Sequence, residues 1–165
     1  MIKILISGCL LGEKVWYDGE KITLNSSIIN QWQQEGRLIS FCPEVAGGLP
    51  VPRLPSEIQS GDGRDVLTGK ARIVDSNRVE VTDYFIRGAR SVVRILETNL
   101  IKMAVLKSLS PACSKIYIYD GSFSNKIKPG AGILASFLND YHLKLFDENE
   151  LESACQYLQK LESDR

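Results

Sequence analysis

Three strand-like stretches, Ile2 to Ser7, Arg37 to Phe41 and Ile101 to Leu106, each lead within a few residues to a cysteine set beside glycine or proline. No other feature constrains the fold as strongly. The first and third stretches are apolar without alternation, as expected of strands covered on both faces. Their exits read Ser7-Gly8-Cys9-Leu10-Leu11-Gly12, Phe41-Cys42-Pro43-Glu44 and Ser108-Leu109-Ser110-Pro111-Ala112-Cys113. If these strands are parallel neighbours, their ends form one edge and Cys9, Cys42 and Cys113 meet there.

Helical signals fill the gaps between strands. Asn25 or Ser26 can cap a helix with the apolar stripe Ile28, Ile29 and Trp32, and Gly36 can end it. Thr82 or Asp83 precedes Phe85, Ala89, Val92 and Leu96, which recur at helical spacing. Ile133, Leu134, Phe137, Leu138 and Tyr141 suit another helix, followed by a short strand from Leu143 to Phe146. Asp147 and Glu150 resemble a capping box before a final helix with Leu151, Ala154, Leu158 and Leu161 inward. The alternating segments 70–74 and 78–82 flank Asp75-Ser76-Asn77, a hairpin signal. Between Gly47 and Gly63, Pro50, Pro52 and Pro55 predict a long loop that walls or covers the site, with Arg53 and Glu57 as its polar candidates. The glycine-punctuated segment 122–132 is expected to close over the same edge.

The expected architecture is therefore one α/β domain over residues 1–165. It has a mainly parallel, Rossmann-like sheet with helices on both faces, plus a small β-hairpin insertion. At 165 residues the chain can bury about two-thirds of its unfolded surface without disulfide staples. A short apolar start without a basic leader, and no window of membrane-spanning length, predict a soluble cytoplasmic protein. Twenty basic residues balance 20 acidic ones, which argues against a nucleic-acid backbone or a membrane as partner and for a small molecule. The oligomeric state is not legible.

In a reducing compartment, unpaired cysteines at strand exits point to metal binding or catalysis. Three converging thiolates repel one another unless a cation holds them. Three protein ligands also leave a coordination position open, as in catalytic centres. Soft sulfur donors select zinc, copper(I) or an iron–sulfur cluster, and the spacing does not choose among them. His142, the sole histidine, could complete a zinc set. Cys155 falls beside Ala154 on a helix stripe, where a thiol behaves as a small hydrophobe.

At these residues the chain resembles a family of small bacterial proteins, long catalogued as a domain of unknown function, that is linked to thiouracil desulfidases. The likeness runs through Ser7-Gly8-Cys9-Leu10-Leu11-Gly12, Tyr17-Asp18-Gly19, Phe41-Cys42-Pro43-Glu44-Val45, Gly47-Gly48, Pro52-Arg53-Leu54-Pro55-Ser56-Glu57, Gly61-Asp62-Gly63, Ser110-Pro111 with Cys113, and Tyr119-Asp120-Gly121. The resemblance implies a [4Fe–4S] cluster on Cys9, Cys42 and Cys113. Its free iron would take the sulfur of a thiolated pyrimidine or related heterocycle, and water oxygen would replace that sulfur without redox change. It also implies Glu44 as general acid or base, Asp18 and Ser110 as further catalytic groups, and Tyr17 and Arg53 as substrate-binding residues. The structural alternatives are an Asx turn at Asp18, a Glu44–Arg53 pair and a turn capped by Ser110. Ala112, Ser114 and Trp16 depart from the residues common in the family, as do Ala131, Ile133 and Leu134. The alternative function is a non-catalytic metal-binding or sulfur-carrier module that uses the same cysteines.

Overall fold

The computed structural model describes residues 1–22 and 24–165. Its centre is a four-stranded parallel sheet built from β1 (Lys3–Ser7), β2 (Leu38–Phe41), β5 (Ile101–Leu106) and β8 (Lys144–Asp147), in the order β2-β1-β5-β8. β1 aligns Ile4 with Leu38 on one side and with Met103 on the other. The chain thus winds outward in both directions from β1, and the switch point lies between β1 and β5.

Side-chain alternation divides the core into two layers. Leu5, Ala104, Leu106 and Leu145 pack on one face with Phe85, Ala89, Leu134 and Leu138 of α4 (Thr82–Ser91) and α6 (Ile133–Asn139). Ile4, Ile6, Met103, Val105 and Phe146 pack on the other with Ile29 and Trp32 of α1 (Ser27–Gln34) and with Ala154 and Leu158 of α7 (Leu151–Ser163). Because both faces are covered, the central strands carry no polar alternation. Ser26 caps α1 by accepting from the Ile29 N–H at 3.3 Å. Glu150 reaches back to the Asp147 N–H at 3.0 Å before α7 begins.

The proline-rich segment is not a plain loop. It contains β3 (Ser56–Gln59), which pairs antiparallel with β4 (Arg72–Asp75), and it ends at α3 (Gly63–Leu67), capped by Asp62. The expected hairpin partner, 78–82, pairs with β4 through the bridge Val74 to Glu80. The Asp75 N–H donates to the Val79 carbonyl and the Val81 N–H to the Ile73 carbonyl, both at 2.9 Å, but the stretch is too short to count as a strand. The Thr82 hydroxyl accepts the Ile73 N–H at 2.9 Å, and the return segment is diverted into α4. The helix expected to run from Phe85 through Leu96 breaks at Val92 into α4 and α5 (Val93–Thr98). A third small sheet pairs β6 (Tyr117–Tyr119) with β7 (Ile127–Pro129). Among the described residues no helix is long and apolar enough to cross a membrane.

The short helix α2 (Pro43–Ala46), which directly follows Cys42, lies backbone to backbone on α4. A methyl group on Gly88 would overlap the Pro43 carbonyl, and one on Gly47 would overlap the Tyr84 carbonyl. Substituting Gly88→Ala is therefore expected to destabilise the protein by about 1–3 kcal/mol, the usual cost of overpacking. Chemical denaturation measures this, and an unchanged midpoint would show that the seam gives way freely.

Candidate functional site

Each cysteine is placed by the element that precedes it. Cys9 lies in a 3-10 turn, Gly8–Leu11, directly after β1. Cys42 is the N-cap of α2, with Pro43 in the first turn. Cys113 closes a turn after β5 in which the Ser110 hydroxyl accepts from the Ala112 and Cys113 N–H groups, both at 3.1 Å. The amino end of α6 locks that turn, since the Ile133 and Leu134 N–H groups donate to the carbonyls of Pro111 at 3.0 Å and Ala112 at 2.8 Å. All three cysteines line one small cavity at the carboxyl edge of the sheet. Cys155 lies apart on α7. His142 is exposed in the turn that enters β8, at the opposite end of that strand from the cysteine edge.

The electrostatics tie the three sulfurs together. Burial, reinforced by neighbouring Cys42, pushes the Cys9 thiol up to about 12, while the Lys107 charge acts in the other direction. Burial raises Cys42 as well, and the backbone N–H groups of Val45 and Glu44 pull it partly back. Burial, with Cys9 and Cys42 adding to it, raises Cys113 well above the usual thiol range, against a hydrogen bond with Ser7. Cys42 thus acts on both other thiols and Cys9 on Cys113, as expected of groups that line one cavity. Yet among the described residues no three Cys, His, Asp or Glu side chains stand close enough to share a single ion. Three cysteine sulfurs, with the sole histidine at the other end of β8, suit an iron–sulfur cluster better than a zinc set completed by His142.

A second, larger cavity of about 400 Å³ adjoins the first and shares Trp16, Glu44 and Ser110 with it. Tyr17, Tyr119 and Phe123 add aromatic walls, and Glu57 and Asn125 add polar groups. Three lining residues, Leu109, Phe123 and Asn125, have left-handed backbone at φ of 61°, 55° and 59°. Such values are costly for residues with a Cβ and cluster at functional sites.

Glu44 and Ser110, expected to be catalytic, stand where the two cavities join. Burial pushes the Glu44 carboxyl up, and Arg53, paired with it at 3.0 Å, offsets that only in part. The Arg53 side chain, 5% exposed, also donates to the carbonyls of Val15 and Pro50 and lines neither cavity. Arg53 therefore braces Glu44 and the 15–17 segment. Ser110 already accepts two N–H groups, which leaves its hydroxyl proton to donate. Tyr17 lines the larger cavity and packs on Trp16 with ring centroids 5.3 Å apart. Asp18 is exposed, and its carboxylate accepts the Glu20 N–H at 2.8 Å in an Asx turn outside both cavities. The aromatic walls at Tyr119 and Phe123 were missed at the sequence level. Their signals were the turn Tyr119-Asp120-Gly121 and the glycine-punctuated segment 122–132, which holds Phe123.

Comparison with known proteins identifies the family and the fold. A model of the 2-thiouracil desulfurase family matches residues 4–150. The uncharacterized protein YbbK of Bacillus subtilis (strain 168) is 36% identical over 148 residues, which is 90% of this chain and 97% of that protein. Among solved structures, the [4Fe-4S]-dependent thiouracil desulfidase TudS superposes with a TM-score of 0.87 at 34% identity, over 96% of this chain and 99% of that one. The parallel sheet and its flanking helices are thus the same fold.

The rim of the cysteine cavity carries its own ion pair. Lys107 donates to Glu148 at 2.9 Å and lies 5.5 Å over the Trp16 ring, while Glu148 also accepts from the Ser108 N–H and hydroxyl. Burial pulls the Glu148 carboxyl upward, but the hydrogen bonds from Lys107 and Ser108 outweigh it and hold the group below the usual range. A carboxyl lowered on folding contributes stability above its unfolded value of about 4.3 and loses it as the pH falls through the folded one. Substituting Glu148→Gln is expected to lower stability by roughly 1–2 kcal/mol at pH 7, with the difference closing at acid pH. Urea unfolding at both pH values measures this, and a gap that persists in acid contradicts the assignment.

Proposed function

This chain belongs to the 2-thiouracil desulfurase family, and from that premise we propose that it is an iron–sulfur desulfidase acting on a thiolated pyrimidine or a closely related thio-heterocycle. The net reaction exchanges sulfur for oxygen. One water adds its oxygen to the ring carbon of a C=S group, and the sulfur departs as hydrogen sulfide with no change of oxidation state. One observation carries this reading: the cavity shared by the three cysteines and the larger aromatic cavity meet at Glu44 and Ser110. An adjoining cavity of about 400 Å³ also favours an enzyme over a carrier that uses the same cysteines.

Cys9, Cys42 and Cys113 would hold a [4Fe–4S] cluster through their thiolates. When bound, such a cluster supplies a Lewis-acidic iron with a vacant position, which draws electron density from a thiocarbonyl. The rest falls to the chain itself. Trp16 and Tyr17 hold a flat ring by its faces. Glu44, raised by burial toward the working range, takes a proton from the attacking water and returns one to the departing group. Arg53 fixes the direction of that carboxyl. Ser110, free only as a donor, hydrogen-bonds the water or the ring. Asp18 acts at one remove, by shaping the turn that presents Tyr17. The substrate is a small molecule, and the setting we propose is the cytoplasm, where thiols stay reduced.

Under oxygen-free purification the protein is expected to carry about four irons per chain. Each of Cys9→Ser, Cys42→Ser and Cys113→Ser should lose most of that iron, while Cys155→Ser keeps it. Equal loss at Cys155 would overturn the ligand assignment. Substituting Glu44→Gln should retain the iron but slow sulfide release from 2-thiouracil by about 10²-fold or more. Full activity in that variant would remove Glu44 from the mechanism.

A further inference from the structure

One buried carboxylate that lines the larger cavity has no part in the chemistry above. Glu57, on β3, is 8% exposed. Its Oε1 accepts the N–H groups of Gly121 at 3.0 Å and Phe123 at 3.2 Å. The same loop is held from two further sides. Gln59 Nε2 donates to the Gly121 carbonyl at 3.3 Å, and the Arg78 guanidinium lies 4.8 Å over the Phe123 ring. One oxygen of Glu57 thus fastens the loop that presents Phe123 and Asn125 to the cavity. The other, Oε2, has no hydrogen-bond partner among the described residues, although Glu57 lines the cavity.

Because the fold leaves this oxygen without a donor at a cavity wall, it can accept a hydrogen bond from a ligand that fills the cavity. The groups around it narrow what that donor can be. Aromatic side chains flank the cavity, so the ligand is flat, and Glu44 and Ser110 serve the end nearest the cysteines. Glu57 lines the larger cavity alone and is not among the residues shared with the cysteine cavity, so it is placed to meet another edge of the ring. We infer that Glu57 determines substrate specificity: Oε2 accepts a ring N–H of the thio-heterocycle, and the site selects rings that carry that N–H over their N-alkylated counterparts. This rests on the desulfidase reading. A site built to hydrogen-bond a substrate group discriminates strongly against analogues that lack it, because the site's own group is then left unpaired.

The test compares 2-thiouracil with its 1-methyl and 3-methyl derivatives on anaerobic, cluster-loaded protein, with binding read by calorimetry and turnover by sulfide release. The wild type is expected to bind one of the two methyl isomers at least about 10-fold more weakly than the parent. Substituting Glu57→Gln keeps an oxygen for Gly121 and Phe123 but turns the free acceptor into a donor. It should leave iron content and Tm unchanged, weaken 2-thiouracil binding by about 10- to 100-fold and erase the discrimination between parent and methyl isomer. Substituting Glu57→Ala frees the loop as well and should lower Tm. If the wild type binds both methyl isomers as tightly as the parent, or if Glu57→Gln binds 2-thiouracil like the wild type, the inference is wrong. The methyl comparison needs no variant, so a misfolded mutant cannot shelter it. Binding that obeys this pattern without any sulfide release would refute the desulfidase reading and leave the role of Glu57 standing.

Discussion

Parallel hydrogen bonding on both sides of β1 is the constraint from which the site follows. β1 pairs with β2 along one edge and with β5 along the other. Parallel strands all end on one side, so the residues that leave β1, β2 and β5 emerge together although they are distant in sequence. Burial on both faces holds the three strands in register, since a slip of one residue would carry Leu5 into the layer of Ile4 and Ile6. The convergence of Cys9, Cys42 and Cys113 is thus a property of the sheet. The local turns only aim the sulfurs.

Those turns are stiff for different reasons. At Cys42 the backbone contact between α2 and α4 leaves no room for side chains at Gly47 or Gly88. At Cys113 the first N–H groups of α6 are spent on the carbonyls of the turn, and Ser110 ties its interior. Ser7 links the two ends of the arrangement, since its hydroxyl accepts the Lys107 N–H at 2.9 Å and faces Cys113. Such outer hydrogen bonds orient ligands and tune what they bind.

The parts legible in the sequence were those with a strong period or a hard local rule. The unbroken apolar runs announced the central strands, and the cysteine exits announced the edge. Ser26, with Ile29 and Trp32 after it, announced α1. What stayed hidden depended on tertiary pairing. β3 has four residues inside a proline-rich segment, and only its pairing with β4 makes it a strand. The expected hairpin forms only in part, because its return segment bonds through Val79 and Val81 and then Thr82 meets Ile73 with its side chain, which no alternation pattern reveals. β6 and β7, of three residues each, are too short to show a period. In the site, residue type identified Glu44 and Ser110 as well as Asp18. Only the fold separates the first two, at the join of the cavities, from the third, in an exposed turn. Glu57 was visible as a polar residue in a loop, but its grip on Gly121 and Phe123 spans more than 60 positions.

The left-handed backbone at Leu109, Phe123 and Asn125 sets stability against shape in the same three places. Glycine there would relax the chain, and consensus thinking about turns would recommend it. It would also delete the side chains that wall the larger cavity. A version of this protein selected only for heat resistance would drift toward glycine at these positions and lose the contour of its pocket first, while the sheet and the cysteine edge remained intact.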